Sequence, residues 1–332
     1  MTTNTILIGL AGVLAAAAPV LFVVIGETIT ERAGIINLSL NGMVLLTAMG
    51  SFTVARNTDS IFLGFIAGIL IGAFIALIIA FSSITLKQSQ VAVGFVLALA
   101  CRDLAYFLGV PVLNQSGPRL PSMAIPVLKD IPVLGTLFFK QDLITYLSFI
   151  SIFLAWLWVS HTRPGLMLRG IGERPSAAFV RGANVNRLRY IYTVVGGAIG
   201  GLAGPTYSLS IKAGWMGTQS GLDGIGWIGL AIVIFGGWSP LRAAFGSYLF
   251  AILQWLGLVL QSKIAAIPTQ VLQVAPFPLM ILTLLLVNIS DAEWVSRMLA
   301  AMPERPRRWT MKLLRALRAS PPASLGIPFE SE

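Results

Sequence analysis

The polar and apolar positions of this chain fall into long blocks. Nine stretches, at about 6–25, 38–55, 61–86, 91–110, 143–160, 190–210, 225–238, 241–260 and 271–289, carry few or no charges. A helix crosses a hydrocarbon core of about 30 Å with roughly 20 apolar residues, so the blocks predict an all-α polytopic transmembrane bundle of eight to ten spans, nine being the best count. The seventh block is shorter and fits a broken or partly inserted helix as well as a full span. The first block starts with no basic residue before it and no small-residue cleavage pattern, and reads as a retained helix. Gly64, Gly68 and Gly72 recur along one face of the third block, and Gly196, Gly197, Gly200, Gly201 and Gly204 crowd the sixth. Small faces of this kind let helix backbones meet in lipid, and packing within the chain is the expected use, ahead of a homodimer contact.

Composition agrees with the pattern. The 332 residues are 56% hydrophobic and only 11% charged, with a mean hydropathy of +0.84, whereas a soluble domain carries about 25% charged residues. One cysteine, Cys101, and one histidine, His161, leave no disulfide framework and no Cys/His metal cluster. A net charge of +10 raises the question of a nucleic-acid partner, which the positions of the charges answer. With the amino terminus outside, sixteen of the 23 basic residues fall on the inner side, six outside, and Arg102 within a span. The inner ones concentrate in the 161–189 loop and the tail, so the excess follows the positive-inside rule and is no nucleic-acid footprint. The chain divides into a permease-like membrane domain, 1–290, and a basic tail, 291–332, whose 309–318 segment reads as an amphipathic helix on anionic lipid.

The 161–189 loop holds the clearest local signal. Pro175 suits a first helical position, Glu173 the positive helix end and Gly182 a left-handed stop, predicting about two turns over 175–181. Ala177 and Ala178 allow close approach, and Phe179 and Val180 form an apolar knob between Arg174 and Arg181. Such a helix fits a partner protein's groove, and a basic loop lying on lipid headgroups fits the same residues equally well.

Three blocks carry a resemblance. GERPSAAFVRGANVNRLRY (172–190), GETITERAGIINLSLNGMVLLTAMGSF (26–52) and GIGWIGLAIVIFGGWSPLRAAFGSYLF (224–250) resemble, in that order, the coupling loop, the N-terminal signature and the third conserved block of ATP-binding cassette (ABC) importer permeases. The superfamily is that of branched-chain amino acid, ribose and nucleoside permeases, and the branch resembled is the simple-sugar and nucleoside one, linked to basic membrane lipoproteins. The resemblance implies a type II ABC importer permease fold in the bacterial inner membrane. It also implies a separate ABC ATPase, a second and non-identical permease, and a periplasmic or lipid-anchored substrate-binding protein. By the same analogy Gly172, Glu173, Ala177, Ala178 and Gly182 are the coupling positions, with Phe179 as the knob, and Phe179→Asp is expected to uncouple ATP hydrolysis from uptake. No Gly-x-x-x-x-Gly-Lys-Ser/Thr loop occurs in the chain, so no cofactor is expected and ATP belongs to the partner. The chain departs from its relatives at Asn41, where they usually have Glu, and at Ser39, where they have Gly.

Polar residues inside the spans mark a route for solute, because a charge at the bilayer centre costs about 2.5–3.5 kcal/mol on insertion scales. Asn37 and Asn41 share a helix face and offer neutral donors and acceptors, and Gln90 stands at the inner end of the fourth span. Trp215 and Trp227, with Gln219 and Asp223 between them, surround the outer mouth of the seventh, as interface anchors or as stacking rings. Glu27, Glu31 and Arg32 are expected in a polar break between the first two spans. Arg102 and Asp103, about 100° apart on a helix, are expected to reach separate partners on other helices. The leading reading is a transport subunit that is not an enzyme and moves nucleosides or simple sugars. The alternative is a self-contained secondary transporter or channel for a small neutral solute, which calls for more carboxylates within the spans than Asp103 alone.

Overall fold

The computed structural model describes residues 3–212, 214–261, 278, 297 and 320–330. Helices dominate, and no β-strand occurs among the described residues. In chain order they are α1 (Thr3–Arg32), α2 (Leu40–Thr58), α3 (Ile61–Ala80), extended by a π-helical turn over Phe81–Thr85, and α4 (Gln90–Leu108). After the outer loop with its short α5 (Leu134–Phe138) come α6 (Leu143–His161), α7 (Arg163–Glu173), α8 (Pro175–Val180) and α9 (Val185–Gly200). Then follow α10 (Ala203–Thr206), leading into a π-helical turn over Tyr207–Ile211, α11 (Ile225–Phe235) and α12 (Pro240–Gln261). Five helices among the described residues are long and apolar enough to cross a membrane: Ile6–Arg32, Ile61–Thr85, Gln90–Leu108, Leu143–His161 and Pro240–Val259. The expected ninth span, 271–289, and the amphipathic helix at 309–318 lie outside the described residues.

The other expected spans differ for physical reasons. α2 reaches from Leu40 to Thr58 but is less apolar, because it is sealed inside protein, with Leu40 to Leu45 all buried. Its threonine hydroxyls turn back on its own backbone, Thr47 Oγ1 donating to Met43 O at 2.8 Å. A helix that meets no lipid needs no uniformly apolar surface. The sixth block is interrupted at Gly200–Leu202 and resumes as α10 and the π-helical turn; non-helical backbone at membrane depth is tolerated where protein surrounds it. The glycine faces pack within the chain, Gly68 and Gly72 of α3 lying on the Gly197 and Gly201 backbone of α9, with no room for a Cβ at any of them.

α1 runs on past Ile25 to Arg32, so Glu27 and Glu31 lie buried in a helix and not in the expected polar break. The chain then doubles back: Asn37 N–H donates to Glu27 Oε1 at 3.0 Å, and Ile36 N–H donates to Gln90 Oε1 at 2.8 Å. Segment 33–39 thus climbs beside α1 and α4 before α2 begins. Gly42, at the start of α2, abuts Ala98 and Cys101, and Cys101 lies about 16 Å along α4 from Gln90 at 1.5 Å per residue. α11 starts at the same depth, since Gly226 rests on the Asn41 backbone. It ends in the Gly236–Trp238 turn, where Arg32 Nε donates to Trp238 O at 2.5 Å and Trp238 Nε1 donates to Glu31 Oε2. The first turn of α11, a helix of 11 residues, therefore meets the first turn of α2, a helix of 19 residues, inside the bundle.

Candidate functional site

The junction of these first turns is held by one amide. Asn41 Nδ2 donates to Asp223 Oδ1 at 2.7 Å, and Asn41 Oδ1 accepts from Gly224 N–H at 2.7 Å. Gly224 has φ +99, an αL position that suits glycine, and offers α11 no side-chain cap, so Asn41 supplies the missing acceptor from another helix. Tyr106 OH approaches Asp223 Oδ2 at 3.4 Å. Asn41 is buried, whereas Asp223 is exposed and presents its carboxylate outward. A Glu at position 41 would set one carboxylate against another, because Asp223 already supplies the acid of the junction.

Around Asp223 lies a wall of mixed character. Trp227 packs on Phe95, ring centroids 6.1 Å apart, and Tyr106 packs on Trp215 at 6.1 Å. Arg102 and Asp103, expected to reach other helices, pair with each other, Nε to Oδ1 at 3.0 Å, with 36% and 67% of their side chains exposed. The long arginine stem closes the angular gap that separates neighbours on a helix. Charged side chains at this depth are not stable against lipid tails, so this face of α4 borders water or another subunit.

The sequence-selected pathway residues divide. Asn41 and Trp227 belong to the wall. Trp215 is buried beneath it at 1% exposure, against Gly109. Asn37 is buried and makes a local turn, its Oδ1 accepting from Ser39 N–H at 3.1 Å and from Ser39 Oγ–H at 2.6 Å. Gln90 is buried and holds the re-entrant segment through Ile36. Phe95 and Tyr106 were not singled out from sequence, because an aromatic on an apolar helix carries no signal until its neighbour is known.

The inner platform contains the other candidate set. The 161–189 loop forms two helices where one was expected, α7 preceding α8. Gly172 lies so close to Arg32 O that no side chain fits, and Glu173 Oε2 accepts from Ala323 N–H at 3.4 Å. Ala178 is buried toward the bundle, Ala177 is exposed, and Gly182 takes φ +87 at the stop. Phe179 is 45% exposed and leans on Phe329, centroids 5.7 Å apart, while Val180 at 85% exposure forms the tip. A cavity of about 430 Å³ opens beside them, lined by Gly182, Asn184, Asn186 and Phe329. Arg189, at the start of α9, is buried, and burial lowers its guanidinium from the ordinary arginine value to about 10, still cationic at neutral pH. On the outer face a second cavity of about 600 Å³ lies among Arg119, Ser122, Lys140, Asp142 and Ser210. Among the described residues no cluster of His, Cys, Asp or Glu could hold a metal ion.

Comparison with known proteins gives the family. Residues 9–287 match the family described as branched-chain amino acid transport system / permease component. The chain is 36% identical over 251 residues to the putative glucose ABC transporter permease protein TsgC13 of Haloferax volcanii, covering 74% of this chain and 76% of the relative. It is 34% identical over 297 residues to the nucleoside ABC transporter permease protein NupC of Lactococcus lactis, covering 85% and 93%. It is 30% identical over 282 residues to the guanosine ABC transporter permease protein NupQ of Bacillus subtilis, covering 81% and 88%. No solved structure matches the chain significantly.

Proposed function

The chain belongs to the branched-chain amino acid transport system permease family, and from that membership we propose a route and a solute class for it. As a permease subunit of an ABC importer, it passes a solute across the membrane and leaves ATP hydrolysis to a partner. The solute is a nucleoside or a simple sugar, a neutral molecule rich in hydroxyls, which crosses along the wall formed by Phe95, Tyr106, Asp223 and Trp227. The observation that carries this reading is the exposed Asp223 carboxylate, oriented by the buried Asn41 amide where α2 and α11 begin. A carboxylate accepts hydrogen bonds from sugar or base N–H and O–H groups, and the Phe95–Trp227 pair offers a ring face for stacking. The exposed Arg102–Asp103 pair supports a second permease across the route, because the wall closes only one side of it. The exposed tip of α8 supports docking of the ABC ATPase on the inner face, and the outer cavity beside Arg119 and Lys140 supports docking of a substrate-binding protein. The membrane is the bacterial inner membrane, crossed many times.

The experiment is uptake of labelled guanosine, adenosine and glucose by the assembled importer carrying Asp223→Ala. One lost charge-assisted hydrogen bond of about 2 kcal/mol predicts roughly thirtyfold slower uptake of the preferred solute at an unchanged membrane level. Uptake equal to that of the unsubstituted protein removes the wall from the route.

A further inference from the structure

The far end of the chain returns to the inner platform and bonds to four separate parts of it. Ser324 N–H donates to Gly172 O at 2.9 Å and Ser324 Oγ donates to the same carbonyl at 2.6 Å, so the tail satisfies carbonyls that the end of α7 leaves open. Gly326 N–H donates to Gly34 O at 3.0 Å, on the re-entrant segment that leads into α2. From the start of α9, Arg189 Nη1 donates to Ile327 O at 2.8 Å and Arg189 Nη2 donates to Ser324 Oγ at 3.0 Å. Lys87, between α3 and α4, pairs with Glu330. Phe329 then touches Phe179 of α8. Two glycines make the fit possible: Gly34 at φ +93 lets Arg189 and Ser324 approach its face, and Gly326 takes φ +77 against Ile36.

These contacts have a direction. α8 is only two turns long, and between it and the Asp223 wall lies the re-entrant segment, which the tail grips at Gly34 and Gln90 grips at Ile36. Five residues beyond Ile36 stands Asn41, which orients Asp223. We propose that segment 320–330 is a strap that joins the docking helix α8 to the re-entrant segment, so that a push on α8 reaches Asn41 and Asp223 through it. Arg189 meets a backbone carbonyl and a hydroxyl in the strap, neutral acceptors that water can replace, and the Lys87–Glu330 pair is exposed, so the strap is able to release without stranding a buried ion pair. Ser324 and Arg189 are positioning residues, acting on the solute wall through the strap. The inference rests on α8 being the ATPase docking helix.

The test uses the complete importer in proteoliposomes and reads solute transported per ATP hydrolysed. Ending the chain after Ala319, and separately Ser324→Ala with Phe329→Ala, is expected to lower that ratio about tenfold while ATP hydrolysis continues, within the usual range of coupling between sites. A peptide of residues 320–332 on the inner side is expected to restore part of the ratio to the shortened chain. An unchanged ratio in the double variant overturns the strap, and so does an unchanged ratio in the shortened chain. If the shortened chain fails to accumulate, the double variant alone decides. Val180→Asp, at the exposed tip of α8 and beside rather than within the Phe179–Phe329 contact, separates the two ideas: coupling lost there but intact in the strap variants defeats the strap alone, and coupling intact in Val180→Asp defeats the docking reading.

Discussion

The Asp223 wall and the inner platform are both made of segments distant in sequence, yet they are joined by different means. At the wall a single side-chain amide bridges α2 and α11, and the charged groups it supports stay exposed. At the platform most joints are backbone carbonyls, glycines and a buried arginine, with the exposed Lys87–Glu330 pair at the rim. A surface that must take up and release a solute needs polar groups left free to exchange partners. A joint that must transmit displacement needs bonds from the main chain, whose position side-chain rotation cannot relax. The contrast predicts that wall substitutions change which solute moves and how fast, while platform substitutions change whether ATP hydrolysis moves anything.

The largest effect is expected at the α8 tip. Val180→Asp places a charge on the most exposed apolar residue of α8, the proposed docking helix, and uptake should fall to background while the protein remains in the membrane; immunoblotting of membranes beside an uptake assay reads both. Next comes the amide. Asn41→Glu sets a second carboxylate against Asp223 and should slow uptake by about tenfold or more, and adding Asp223→Asn should recover part of it because the pair is then acid and amide again. If the double variant is no better than the single one, the wall is not organised around this pair. Gly172→Ala comes third: its methyl would meet Arg32 O, and overpacking of this kind costs about 1–3 kcal/mol. Thermal unfolding in detergent should show the loss, and solute preference should not change; a changed preference would erase the distinction between the two regions. The smallest effect belongs to Lys87 and Glu330. The hydrogen bond and charge of Lys87 hold the Glu330 carboxyl below its ordinary value. That contribution is therefore complete above the ordinary carboxylate pKa of about 4.3 and is lost as pH falls through the lower folded value. Between about pH 6 and 8 the coupling ratio of Glu330→Gln should be flat, since the pair is exposed and screened.

Much of the fold was legible in the residues. The apolar blocks located α1, α3, α4, α6 and α12, with α4, α6 and α12 within two residues of their ends, because hydrocarbon thickness fixes how many residues a crossing needs. The short seventh block, which fitted a broken or partly inserted helix as well as a full span, corresponds to α11, a helix of only 11 residues. The punctuation of Pro175 and Gly182 gave α8, since caps act over a few neighbouring residues. The candidate site was legible only in part. Asn41 and Trp227 could be picked out as polar or amphipathic groups at membrane depth. Phe95 and Tyr106 could not, and Arg102 was assigned distant partners when its neighbour sufficed.

By itself, then, the sequence located the long apolar helices, gathered the basic residues into the 161–189 loop and the tail, and marked where α8 starts and stops. Each of these follows from solvation or from bonds between residues a few positions apart. Only the tertiary structure decided that Asn41 meets Asp223, that 33–39 doubles back along α1, and that Ser324 closes on Gly172. Such contacts join residues separated by up to 182 positions. They leave no period in the chain, and each exists only because the surrounding helices have already brought the two backbones together.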